Sequence, residues 1–247
     1  MSYSKFFWLH IKKSAGNSTR QLLAPHYLEV NRTQKPFTFI QAKPEEYNDV
    51  LNNYRVVLGD YQFKRTLFAK EFLYPDDWDN IFSFAFVREP IDRCISMFYY
   101  MHYQNPFETS SKLRKAYHLA KKLKNGGYGS EQQQFDDFLD LIEQTHFQSN
   151  SIFHPAGLHF STHTAPMFAD VSDNNGNVLL TKTYRLENMT AGINEMFEQC
   201  GIDKRINDNS TVLNKNAQRK KYTPSDEQKT RIIKLYEKDF DLYENAH

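Results

Sequence analysis

Cysteine is nearly absent from this chain. Cys94 and Cys200 are the two in 247 residues, which excludes a disulfide framework and a cysteine-built metal site and fits a reducing compartment. No uninterrupted apolar run reaches about twenty residues, so no transmembrane helix and no membrane partner is expected. Charge of one sign is missing too. The 31 Lys and Arg stand against 30 Asp and Glu, a formal net charge of +1, which argues against nucleic acid or another bulk polyanion as partner. Repeats, low-complexity tracts and interdomain linkers are lacking. Met1 to Lys5 lead straight into an apolar run, leaving no room for a targeting peptide or anchor, and a cytoplasmic protein is expected. What is present is a hydrophobic content of 40% and an aromatic content of 15%, enough for a sizeable core in one domain spanning 1–247.

Two short segments carry the chemistry. After the aromatic, β-prone run Phe6-Phe7-Trp8-Leu9 come His10-Ile11-Lys12-Lys13-Ser14-Ala15-Gly16-Asn17-Ser18-Thr19, small residues and hydroxyls around a lysine, and then the helix-compatible Arg20-Gln21-Leu22-Leu23. A strand, a tight turn and a helix N-terminus aim backbone N–H groups and a positive dipole end at one point, which suits a phosphate. The apolar run Ile81 to Val87 reads as a second strand, buried on both faces of a parallel sheet. Arg88 stands at its carboxyl end, Pro90 fits the first turn of the next helix, and Ser96 follows about two turns in. The arginine offers a phosphate a planar fork of donors and the serine a further hydroxyl. Two anion sites on adjacent strand ends imply a ligand with two separated anionic groups.

Taken singly, each segment has an ordinary reading: a βα loop that contains a lysine, and a surface ion pair that opens a helix. Together, in order and each behind a hydrophobic strand, they favour paired anion sites. The nearest functional competitor is a nucleotide kinase or P-loop NTPase. The chain lacks both G-x-x-x-x-G-K-[ST] and an apolar strand ending in an obvious magnesium-binding aspartate.

With these segments the chain resembles the sulfotransferases that use 3′-phosphoadenosine 5′-phosphosulfate (PAPS), most closely the carbohydrate 2-O-sulfotransferase branch. That branch opens near H-I-P-K-T-A-G-T-S, which stands here as HIKKSAGNS with Lys12 replacing the proline. Its second signature, near L-R-D-P-x-x-R-x-x-S, stands here as FVREPIDRCIS. The resemblance spans most of the chain and implies a P-loop-like three-layer α/β fold, a central parallel sheet flanked by helices; the helix patterns within about 105–150 read as a helical cap over the acceptor site or as surface helices. It implies Lys13 as the contact to the 5′-phosphosulfate and Arg88 and Ser96 as ligands of the 3′-phosphate. Ser14, Ala15, Gly16, Asn17, Ser18 and Thr19 would hold the 5′-phosphate, with Ser14 also able to temper Lys13 by hydrogen bonding. Val212 to Asn216 followed by Arg219-Lys220-Lys221 resembles the family's loop over the adenosine nucleotide, which makes Lys215, Arg219 and Lys220 nucleotide contacts. Their charge suits a 3′-phosphate carrying about two negative charges. PAPS is then the donor, 3′-phosphoadenosine 5′-phosphate (PAP) the product, and no metal is required. The acceptor is a small molecule or a sugar, and a bacterial member without an anchor is expected. A PAPS-binding protein without turnover is the alternative.

Sulfuryl transfer places growing charge on the 5′-phosphate, where Lys13 is positioned to stabilise it. The acceptor hydroxyl needs a base. The related enzymes carry a Gly-His pair after the second strand, and here Gly59-Asp60 stands in its place, so Asp60 is the leading candidate if burial raises its pKa. His10, before the phosphate loop, competes with it. So does His159, which falls on a histidine recurring in the family. His154, His159 and His163 lack an evident fourth zinc ligand.

Among the elements, strands are expected at 5–11, 55–58, 81–87 and 178–181. Helices are expected from about 18, over 90–104, 108–125 and 131–145, up to Cys200, and after a Thr223-Pro224 cap, with Ile232, Tyr236, Phe240 and Tyr243 as a core stripe.

Overall fold

The computed structural model describes residues 3–28, 39–53, 56–103, 129–145, 157–207 and 222–247. Strand β1 (Lys5–Leu9) leads through a loop into helix α1 (Gly16–Leu23), and the short helices α2 (Tyr47–Val50) and α3 (Arg65–Phe68) precede β2 (Ile81–Val87) and α4 (Pro90–Met101). Helices α5 (Glu131–Glu143), α6 (Gly157–Thr164) and α7 (Met167–Val171) come before β3 (Lys182–Arg185). Helices α8 (Met189–Gln199), α9 (Asp226–Leu235) and α10 (Glu237–Glu244) follow it. The strands run parallel in the order β1-β2-β3, with Phe7 opposite Ser83 and Phe84 opposite Lys182. The fold is α/β with a parallel sheet flanked by helices, as the strand–helix alternation implies.

The period of two along each strand sorts the aromatic side chains into two cores. Phe6, Trp8, Phe82, Phe84, Phe86 and Tyr184 pack with Leu23 of α1 and Ile193, Met196 and Phe197 of α8. Phe7, Leu9, Ala85 and Val87 face the other way, against Val50, Phe68, Met167 and Val171. A third core is wholly helical: Cys94, Met97 and Phe98 of α4 meet Phe135, Phe138 and Leu139 of α5, Phe160 of α6 and Ile232 of α9. The apolar face read from the sequence for 131–145 is therefore buried, and α5 belongs to a helical layer built on α4. The expected helix 108–125 lies outside the described residues.

Two expected strands are not formed. At 55–58, the described residues Val56 to Leu58 are irregular, and the free edge of β1 is closed by two asparagines one helical turn apart. Asn48 accepts from Trp8 N–H at 3.0 Å and donates to Phe6 carbonyl at 2.9 Å, while Asn52 accepts from His10 N–H at 2.6 Å and donates to Trp8 carbonyl at 3.2 Å. These side-chain amides supply the ladder a strand would have made. At 178–181, the tight turn over Asp173–Asn177 folds the chain back on itself. Val178 bridges Ser172 and Leu179 N–H donates to Val171 carbonyl, so sheet pairing starts at Lys182. On the outer side of β3, Arg185 N–H donates to His247 carbonyl and His247 N–H to Thr183 carbonyl. The cap of α9 is Ser225, in a capping box with Gln228, two residues beyond the expected Thr223.

Candidate active site

The carboxyl ends of β1 and β2 open into the two predicted segments, and the structure brings them together. Lys13 and Ala15 take left-handed backbone conformations, φ 69° and 53°, which cost non-glycine residues roughly 1–3 kcal/mol each and concentrate at ligand sites. Gly16 starts α1 because nothing larger fits: a Cβ there would stand 1.6 Å from His10 Nε2. No side chain caps α1 among the described residues and no acidic residue stands in its first turn, so its N–H groups and dipole suit an incoming anion. Ser14 is 2% exposed, and its Oγ has no hydrogen-bond partner among the described residues. An orphaned buried hydroxyl beside an uncapped helix start fits a phosphate. Asn17 is exposed and Ser18 half-buried. Thr19 is turned inward, its hydroxyl donating to Ala15 carbonyl at 3.3 Å.

The second segment differs from the first. Glu89 caps α4 with its own carboxylate, accepting from Asp92 N–H at 2.6 Å, so this helix start is already neutralised and an anion must rely on side chains. Arg88 supplies one. Its Nη1 donates to Lys13 carbonyl at 3.3 Å and its Nη2 stands 3.8 Å from Asp92. Ser96 is half-buried on α4, about two turns in. Burial first, and then Arg88, lowers the Lys13 ammonium to about 8. In the free protein the lysine is thus poised to gain from an anionic neighbour.

Lys13 Nζ lies 4.0 Å from the centroid of the Tyr100 ring, a cation–π contact worth about 0.5–1 kcal/mol at an exposed site. Tyr100, on α4 four residues past Ser96, is 55% exposed. The His163 ring stacks on it at 5.3 Å and the His159 ring lies at 5.9 Å. His163 Nδ1 is 2.7 Å from His159 carbonyl. Because a carbonyl only accepts, Nδ1 carries the hydrogen and Nε2 the lone pair. Burial, helped by Lys12, holds His163 neutral with its pKa down at about 3. His159 is half-buried.

The other base candidates sit differently. His10 is stacked on Trp8 at 5.3 Å and pressed against Gly16, and burial pushes its pKa well below the ordinary histidine value. It is a packed, neutral element of the loop's floor. Asp60 stands exposed on the short turn Gly59–Tyr61 and not in a buried pocket. Lys215, Arg219 and Lys220 lie outside the described residues, as does His154. No three His, Cys, Asp or Glu side chains converge as metal ligands among the described residues, and no described helix is long and apolar enough to cross a membrane.

Two residues support the loop from beneath. Lys12, where the resembled branch has proline, is 4% exposed and donates to Asn52 carbonyl at 2.5 Å. Arg93 is buried and donates from Nε to Lys12 carbonyl at 3.1 Å and from Nη2 to His163 and Ala165 carbonyls at 3.2 and 2.7 Å. Its Nη1 stands 3.6 Å from buried Asp239, which accepts from Met167 and Phe168 N–H. One guanidinium thus ties the loop after β1 to α6, α7 and α10. Arg93→Met should destabilise the fold by about 3–5 kcal/mol, the usual result of leaving a buried carboxylate without its partner. Urea unfolding at neutral pH checks this.

The family model described as Sulfotransferase family matches residues 2–245. The match covers nearly the whole chain, so this α/β domain is a transferase, and the chain belongs to the sulfotransferase family. Neither the curated proteins nor the solved structures compared with it match the chain.

Proposed function

We propose that this protein moves the sulfuryl group of PAPS to a hydroxyl of a small-molecule or sugar acceptor. The observation that carries the reading is the pairing of an orphaned Ser14 hydroxyl and the Lys13 ammonium at an uncapped helix start, with Arg88 joined to the same loop. Lys13 and the α1 N–H groups bind the 5′-phosphate, and Arg88 and Ser96 bind the 3′-phosphate. As the acceptor oxygen bonds to sulfur, the bond from sulfur to the bridging oxygen breaks. The electron pair goes to the 5′-phosphate, where Lys13 meets it. The acceptor proton passes to His159. It is the half-buried histidine beside Tyr100, whereas His10 is packed away and Asp60 is exposed on a distant turn of the sequence.

PAP titration tests the donor assignment. At a hundredfold excess over its dissociation constant, PAP should add about 2.7 kcal/mol of stability without magnesium. Stabilisation by magnesium–ATP and none by PAP would replace this reading with a kinase-like one. Arg88→Ala should weaken PAP binding by about 1.5–3 kcal/mol, the loss of a charged hydrogen bond. The pH dependence follows from Lys13. The bound anion favours the protonated amine, so PAP affinity should be full between the second phosphate pKa at about 6 and about pH 8, where free Lys13 is charged, and should fall as pH rises through the latter value. Lys13→Met should flatten this slope in calorimetric titrations.

A further inference from the structure

Tyr100 is a large ring left half open beside the lysine that faces the donor, with its π-cloud in contact with that lysine's ammonium. Among the described residues, the rings of His159 and His163 also lie against it. An ammonium held by an exposed ring is weakly held, and a phosphosulfate carrying full charges competes for it through charge-assisted hydrogen bonds, the stronger interaction. When Lys13 turns to the donor it leaves the ring. The ring surface it leaves is flat and apolar, with the His163 ring stacked on Tyr100, the His159 ring tilted beside it, and the His163 tautomer fixed by the His159 carbonyl.

We propose that the Tyr100 ring is the stacking surface for the acceptor, covered by Lys13 in the free protein and uncovered when donor draws Lys13 away. The acceptor is then a ring-bearing molecule whose hydroxyl projects from the ring edge toward the histidines, and it binds after the donor. This deepens the sulfuryl-transfer reading and rests on it. Carbohydrates and aryl compounds both present an apolar ring face to an aromatic side chain, and stacking is the chemistry they share. Donor and acceptor are coupled through the position of one side chain, so each should tighten the other by the same factor.

The test uses 2-naphthol and methyl β-glucoside as ring probes, with binding followed by saturation-transfer NMR with and without PAP, and PAP affinity measured on the same samples. One ring should bind the wild type at least tenfold more tightly with PAP present, naphthol marking an aryl acceptor and the glucoside a carbohydrate. Lys13→Ala should bind that ring without PAP, because the surface is already uncovered. Tyr100→Phe should keep the binding and Tyr100→Leu should lose it, with PAP affinity equal to wild type or up to about fivefold tighter, since the ring no longer holds Lys13, showing that the leucine variant is folded. Absence of binding by either ring in the presence of PAP, or equal binding by wild type and Tyr100→Leu, overturns the inference while the donor reading stands. Failure of the wild type to bind PAP overturns both.

Discussion

Replacing Lys13 with alanine should lower the rate of sulfuryl transfer at saturating donor by roughly 10²–10³, the usual result of removing one preorganised group that meets charge developing in the transition state. The effect should fall on turnover more than on PAP affinity. Backbone N–H groups of α1 and the Arg88 side chain still hold the nucleotide, and the ground-state phosphosulfate carries less charge at the bridging oxygen than the transition state does. Arg88→Ala should show the opposite division, a loss in nucleotide affinity with a smaller change in turnover once donor is saturating. Single-turnover kinetics on both variants separate the two effects. Equal turnover by wild type and Lys13→Ala would remove Lys13 from the chemistry.

His159→Asn should retain PAP binding and lose about 10²–10⁴ in turnover, the range expected for removing a general base together with its positioning. The amide keeps the approximate shape of the ring, and the His159 carbonyl that fixes the His163 tautomer belongs to the backbone and survives the substitution. The low-pH limb of the rate profile should disappear from the residual activity. Asp60→Asn should remain near wild type, because that residue is exposed on the turn Gly59–Tyr61. The reverse result, an inactive Asp60→Asn beside a near-normal His159→Asn, would return the base to Asp60.

The loop between β1 and α1 and the two main strands were legible because each rests on local chemistry. An aromatic run, a lysine among small residues and a proline after an arginine lie within a dozen residues and depend on little else. Strand pairing was not legible at the sheet's edges. Val56 to Leu58 have strand-forming residues, yet β1 takes its edge partners from Asn48 and Asn52, whose amides form the bonds only because α2 lies alongside. Val178 to Thr181 are likewise diverted by the turn at Asp173–Asn177. Within the site, Tyr100 and Arg93 emerged only with the fold, and His163, weighed in the sequence only toward zinc, found its place beside Tyr100 there. Their partners lie on α6, α10 and the loop, and the docking of α4 against those elements leaves no local mark. One signal was available for Tyr100: it follows Ser96 by four residues, so it shares a helical face with a residue already assigned to the nucleotide.

Transfer of label from radiosulfur-marked PAPS, assayed with wild-type protein against phenolic and sugar acceptors, decides whether the protein is a sulfotransferase in action. Label should pass to an acceptor with formation of an equal amount of PAP, without added metal. Tight binding of PAPS with no label transferred to any acceptor would contradict this and identify a nucleotide-binding protein instead.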